Sequence, residues 1–224
     1  VEAIIHLAQS RHYKNFPDSA DDIMNVNVLS SARVFEFARQ NKVKTVSIAS
    51  TGSVYLPSNT KISEEELPRP TDFYGASKYA MEILAAPYSG YFDLSIFRIF
   101  RLYGPGQEGS LIPALVSRIR NKQVISLNGS NGIKVCSTHV EDAAHIFMMA
   151  TINGWSGTYN MASPYNIYLL ELCSLIGEEL GIKPRFSIDA EVKGLIPDIG
   201  CLESKYPINK MRDIRACIKE LVHK

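Results

Sequence analysis

The chain is 224 residues long, 46% hydrophobic and 21% charged, an ordinary globular composition with room for one large core or two small ones. Its net charge of +1 creates no field that would favour nucleic acid or an anionic membrane as a partner. No apolar run approaches ~18 residues, so neither a membrane span nor a signal peptide is predicted.

Four cysteines (Cys136, Cys173, Cys201 and Cys217) form no C-x-x-C pair and no zinc spacing, so no metal site is expected. Cys173 and Cys217 fall in apolar helical patterns and read as buried thiols. A reducing cytoplasm is the expected location.

Residues 1–8 read as a buried parallel strand that opens onto a loop. Pro17-Asp18-Ser19-Ala20-Asp21-Asp22 carries helix-start chemistry, and Ile23, Val26, Leu29, Val34 and Phe37 mark an amphipathic face running to about Gln40. Residues 44–51 form a second strand, apolar and then abruptly hydroxylated. Gly52-Ser53-Val54-Tyr55 breaks it, and an acidic, proline-rich loop spans 57–70. A helix opens at Asp72, and residues 92–100 make a third strand ending at Tyr103-Gly104-Pro105-Gly106. Strand–helix–strand–helix–strand implies right-handed crossovers and a parallel, doubly wound α/β sheet whose ligand lies beyond the strands' carboxyl ends. Ala8, Ser50-Thr51 and Phe100-Arg101 sit at those ends.

After Gly106 the elements are mixed. Helices are predicted at 111–119, 140–150 and 169–180 (ended by Gly181), with a tail helix from about Lys210 to Val222. Strands are predicted at 123–127, 157–161 and near Phe186. The division that follows is a dinucleotide-type domain at 1–102, with 133–152 packing back on it, and a substrate lobe from 103–132 and 153–224.

Tyr74 and Lys78 stand four apart at the start of the Asp72 helix, so phenol and ammonium share one face. An ammonium beside a phenol favours the phenolate, which makes a tyrosine useful as a base near neutral pH. The spacing alone is common in helices. It gains meaning from the motifs around it: His6-Leu7-Ala8, Val26-Asn27-Val28, Ala49-Ser50-Thr51 with Val54-Tyr55, Tyr74-Gly75-Ala76-Ser77-Lys78, Arg98-Ile99-Phe100 with Tyr103-Gly104-Pro105, Val140-Glu141-Asp142 and Tyr159-Asn160. In this order the chain resembles the extended short-chain dehydrogenase/reductase family, and more narrowly its NAD-dependent nucleotide-sugar epimerase/dehydratase group.

The resemblance implies a Rossmann-type fold, NAD or NADP as cofactor, a nucleotide-sugar substrate, and a homodimer built on a four-helix bundle. It implies that Tyr74 is the acid/base, that Lys78 holds the nicotinamide ribose and lowers the tyrosine pKa, and that Thr51 hydrogen-bonds the reacting hydroxyl. Leu7, Ala8, Gln9, Ala49, Ser50 and Phe100 would line the cofactor, and Ser53, Arg101 and Lys134 would meet the substrate. The expected reaction is transient oxidation of the sugar, or net reduction with the same residues.

Three departures qualify the resemblance. The Gly-x-x-Gly-x-x-Gly turn that seats a pyrophosphate is not found, so the first βα units of the family fold are expected to be lacking, and a non-catalytic fragment or scaffold is the alternative function. Gly52 and Ser53 stand where dehydratases carry Asp and Glu, so elimination of water is not expected. Arg101 replaces the family's Asn, and Lys134 is offset from the expected basic position; both are cations able to meet a diphosphate. Asn27 reads as a structural link from helix to strand, His6 as a satisfied core histidine and His145 as a packing residue. His139 is a weak substrate-lobe candidate and Asp142 a helix brace. Tyr55 and Tyr103 either line the cleft or pack, and the loop residue Trp155 carries no argument.

Overall fold

The computed structural model describes residues 1–223. β1 (Ala3–His6) leads through a loop to α1 (Ala20–Met24), a π-helical turn (Asn25–Leu29) and α2 (Ser30–Gln40). β2 (Thr45–Thr51), α3 (Phe73–Ala85) and β3 (Asp93–Ile99) follow. The three strands pair in parallel in chain order, with Thr51 beside Ile99. Helical crossovers between parallel neighbours put all the carboxyl ends on one rim. Side chains alternate across the sheet. Val46, Ile48, Leu94 and Ile96 pack with Phe35 and Met81 of α2 and α3 on one face, while Phe97 faces the other.

Two expectations about this half are corrected. The strand read from 1–8 is shorter and lies at the sheet's edge, with Ile5 39% exposed. Among the described residues β2 is its one neighbour, so only part of its surface is covered. The helix is present, but its buried stripe runs through Ile23, Asn27, Ser31, Phe35 and Ala38, whereas Leu29 and Phe37 are exposed. The π turn takes more residues than an α-helical turn and rotates everything after it, so a periodicity of 3.6 assigns the wrong face.

The second half holds β4 (Leu102–Tyr103), α4 (Leu111–Arg120), β5 (Val124–Asn128), β6 (Lys134–Val135), β7 (Thr138–His139) and α5 (Val140–Ile152). Then come β8 (Gly157–Met161), β9 (Ile167–Tyr168), α6 (Leu169–Leu180), β10 (Arg185–Asp189), α7 (Gly200–Glu203) and α8 (Ile214–Val222). α6 ends at Gly181 with φ 66°, the left-handed cap position that glycine takes without steric cost. α4, α6 and α8 enclose a separate core around Ile119, Leu127, Leu172 and Ile218, with β5 and β10 paired in parallel against it.

The division into domains is corrected in two places. β8, assigned above to the substrate lobe, is the fourth strand of the main sheet, parallel to β3 with Tyr159 beside Phe97. Leu202, Tyr206, Met211 and the buried Trp155 join Phe97 and Phe147 in the core beneath that strand. Within 133–152, α5 packs on β1 and β2, while β6 pairs with β9. A five-residue strand carries no local mark of which partner it pairs with, so sequence order alone misplaces it.

Candidate active site

At the carboxyl rim of the sheet lies a cavity of about 1220 Å³. α3 starts at its wall because Asp72, extended and outside the helix, accepts the Gly75 N–H through Oδ1 at 2.6 Å. Tyr74 falls in the first turn and Lys78 one turn later on the same face. β2 ends at Thr51, whose Oγ1 accepts the Ser53 N–H at 3.1 Å and opens a 3₁₀ turn over Gly52–Val54. That bond occupies a lone pair and leaves the hydroxyl proton free to donate. The turn and α3 approach so closely that a Cβ on Gly75 would lie 2.4 Å from Ser53 O. Phe100 closes the other side: a Cβ on Gly52 would lie 2.9 Å from its ring, so a larger residue at position 52 would require that ring to shift.

The charges differ from the simple tyrosine–lysine expectation. Burial pushes the Tyr74 phenol up to about 12, opposed by the Thr51 hydroxyl. Its hydrogen bond goes to Gln9, with Oη donating to Oε1 at 2.7 Å. Lys78 is almost fully buried, its Nζ 3.9 Å from Met81 Sδ, and burial brings it down to about 8 against the raising effect of Glu82. The ammonium is therefore not what sets the phenol's affinity for its proton in this arrangement. Burial, followed by Lys78's charge, also lowers His6, whose Nε2 lies 2.8 Å from Ser31 Oγ.

Lys78 has a consequence for stability. Below about pH 8 the folded and unfolded chains both hold its proton; from there towards the ordinary 10.5 only the unfolded chain does. Compared with Lys78→Met, the unchanged protein is expected to gain stability from pH 8 to 10, by at most about 1.4 kcal/mol per unit. Urea midpoints of both proteins across that range measure the difference, and parallel curves would refute the assignment. Above pH 10.0 Tyr74, with its folded value raised, acts in the opposite sense.

A buried polar network underlies the cleft. Ser50 and Arg98 pair in register and face α3, where Arg98 forks onto Glu82, with Nη2 donating to Oε2 at 2.7 Å. Ser50 Oγ donates to the same carboxylate at short range. Arg98 Nη1 donates to Tyr55 Oη at 2.6 Å, and Tyr55 donates to Asn160 Oδ1 at 2.9 Å. Asn160 Nδ2 reaches the carbonyls of Ile62 and Asp198, tying the acidic loop and the tail to the end of β8. Tyr55 thus joins the network, and Tyr103 is wholly buried in the lobe. Asn27, fully buried in the π turn, accepts Ser10 N–H at 2.9 Å and donates to Ser77 Oγ at 2.9 Å. It links the loop after β1, not a strand, to α3.

Of the residues singled out from sequence, Thr51, Tyr74, Lys78, Leu7, Gln9, Ala49, Ser50, Ser53, Phe100 and Arg101 all line the cavity. Two do not. Ala8 is exposed beside it, because successive residues leaving a strand point to opposite sides. Lys134 lies over the Tyr168 ring, 5.8 Å from its centroid, held there by the β6–β9 pairing. His139 is buried and caps α5, His145 is exposed with Nδ1 2.8 Å from Tyr206 Oη, and Asp142 accepts from Arg212 N, bracing the tail. Sequence reasoning missed Tyr13, Lys14 and Gln107. Tyr13 packs on Tyr74 with ring centroids 4.8 Å apart, and Lys14 Nζ donates to Gly109 O at 3.0 Å across the mouth. The signal that points to the first two is their position just after a strand's carboxyl end.

Fold and site together define an α/β protein in which a hydroxyl, a phenol and a buried ammonium meet in a cleft at the strand ends of a parallel sheet. Residues 1–162 match the NAD dependent epimerase/dehydratase family, and the chain belongs to it. It is 29% identical over 147 residues to the "Probable UDP-glucuronate 4-epimerase" of Rhizobium meliloti (strain 1021), covering 63% of this chain and 43% of that protein. It is 27% identical over 213 residues to the dTDP-4-dehydro-6-deoxyglucose reductase of Escherichia coli, covering 89% and 67%. The chain thus spans less than half the length of the first of these relatives. Among solved structures, MoeE5 in complex with UDP-glucuronic acid and NAD superposes with a TM-score of 0.81 at 25% identity, over 97% of this chain and 77% of that one. None of the helices among the described residues is long and apolar enough to cross a membrane.

Proposed function

We propose that the protein is an NAD(P)-dependent epimerase acting on a nucleotide-linked sugar, with Thr51, Tyr74 and Lys78 as its reacting set. The observation that carries this reading is that these three side chains line one cavity at the strand ends. The residues also fit a dinucleotide's reactive end. Lys78 offers a buried ammonium whose nearest partner is a weak sulfur acceptor, suited to ribose hydroxyls, and Leu7 and Gln9 border the same space. When bound, the cofactor supplies a reversible acceptor for the hydride of the sugar carbon.

The chain's own part is proton handling and placement. Thr51, already accepting from Ser53, donates its proton to the sugar hydroxyl and orients it. Tyr74, having first lost its own proton and acting as phenolate, takes that hydroxyl's proton and later returns it. Its phenol gives up its proton more readily once a protonated Lys78 faces it across a shared ligand. Gly52 and Ser53 carry no carboxylate to expel water, which favours epimerisation or reduction over dehydration. Exposed Met24, Leu29, Phe37 and Ile83 on α1, the π turn, α2 and α3 support the homodimer.

The test is incubation with UDP-glucuronate or UDP-glucose and NAD or NADP, followed by separation of C4 epimers. Conversion is the expected result. If neither cofactor nor sugar nucleotide binds at millimolar concentration, the enzyme reading falls and the scaffold alternative stands.

A further inference from the structure

The side-chain amides in and beneath the cleft are held in two ways. Asn160 accepts from Tyr55 through Oδ1 while its Nδ2 donates to two carbonyls, and Asn27 accepts the Ser10 N–H while its Nδ2 donates to Ser77 Oγ. Gln107, on the cavity wall, accepts from Ser110 Oγ at 2.9 Å and donates to Leu102 O at 3.2 Å. Each of these is fastened at both ends and would lose bonds by turning over. Gln9 is fastened at one end. Its Oε1 accepts the Tyr74 phenol proton at 2.7 Å, and among the described residues no hydrogen bond holds its Nε2. The two ends of a primary amide have nearly the same shape, so a half-turn about its last side-chain bond puts N–H where the carbonyl was without moving the backbone.

The phenol oxygen also meets the Thr51 hydroxyl, which opposes the effect of burial, while Asp72 on α3 and Tyr13 in the loop after β1 act against the phenolate. Lys78 lines the same cavity one turn along α3, and Arg101, beyond β3, bears on Tyr13. In the mechanism proposed above Thr51 gives its proton to the sugar hydroxyl, so the phenolate loses that donor when substrate is bound. Gln9 is the side chain already at contact distance. We propose that Gln9 is a positioning residue that follows the Tyr74 proton by turning its amide: the carbonyl accepts from the phenol, and after a half-turn Nε2–H donates to the phenolate. This deepens the function proposed above and rests on it. A base that alternates between charged and neutral forms within one turnover needs a partner with both a donor and an acceptor, and glutamine offers both at one place. Because it bonds each form in turn, the amide changes the balance between them little while it holds the ring for both proton transfers.

The test compares Gln9→Glu, which near neutral pH only accepts, with Gln9→Met, which neither accepts nor donates. Profiles of kcat/KM against pH, whose acid limb reports the base of the free enzyme, are taken for both and for the unchanged protein. Gln9→Glu should carry the acid limb up by about one unit and lower kcat/KM about tenfold near pH 7, because a carboxylate holds the phenol proton and repels the phenolate. Gln9→Met should lower kcat/KM about 3- to 10-fold at every pH, with the limb within about half a unit of its place. Gln9 is exposed, so melting midpoints should stay unchanged and serve as the folding control. Tyrosinate difference spectra, each protein against its Tyr74→Phe counterpart, follow the same phenol without turnover, and Gln9→Glu should ionise it at higher pH. If Gln9→Met instead moves the limb down and speeds the reaction near neutral pH, the amide is a fixed acceptor and the proposal is overturned. A limb and a spectrum that stay in place in Gln9→Glu overturn it as well, since Gln9 then does not govern the phenol. No turnover by the unchanged protein removes the function proposed above, and this role with it, even where the spectra shift.

Discussion

Tyr74→Phe should lower turnover about 10²- to 10⁴-fold, the usual contribution of a positioned acid/base. Affinity for NAD and for the nucleotide sugar should stay within a few-fold, because the ring remains to pack on Tyr13 at 4.8 Å. What disappears is the group proposed to exchange a proton with the sugar hydroxyl, and with it the Oη–Gln9 bond of 2.7 Å. Steady-state rates beside cofactor titration make the measurement. A loss confined to KM would make the phenol a binding group, and full activity would remove it from the mechanism. Thr51 predicts a contrasting pattern: in the proposed mechanism it holds the hydroxyl but carries no proton away, so Thr51→Val should affect kcat less than Tyr74→Phe does.

The largest effect on stability is expected at Glu82 and Arg98. Both are buried, with side chains 5% and 7% exposed, and the pair is fastened by three guanidinium hydrogen bonds. Arg98→Met strands the carboxylate, with Ser50 its one remaining partner among these contacts, and should cost about 3–5 kcal/mol in urea unfolding. The double variant Arg98→Met with Glu82→Leu should recover much of that loss, because no uncompensated charge stays buried. Recovery of stability without recovery of turnover would show that the pair also holds the end of β2 in place for catalysis. A single-variant loss below about 1 kcal/mol would mean that water reaches the site and screens it.

The comparison of sequence with structure turns on particular residues. The helix opening at Asp72, the Tyr74–Lys78 face, the hydroxylated end of β2 and the Gly181 stop were all legible, because each depends on neighbours within one or two turns or on the period of a strand. The buried face of α2 was misread because a π turn has no compositional mark of its own. β8 was placed in the wrong lobe because pairing with β3 is a contact between distant segments. Tyr13 and Lys14 were missed because a loop's return over a cleft is set by what it packs on, here Tyr74 and the segment at Gly109. Glu82 was passed over because a carboxylate one turn after Lys78 looks like a solvated helix position until the sheet beneath it supplies Arg98 and Ser50.

By itself the sequence determined the parallel α/β plan, the strand ends and the Tyr74–Lys78 helix, since short-range periodicity and capping specify those without reference to the rest of the chain. The tertiary structure decided the electrical state of the site. Burial raises the phenol and lowers both the ammonium and the Arg101 guanidinium, and burial is a property of segments far apart in sequence closing over one another and excluding water.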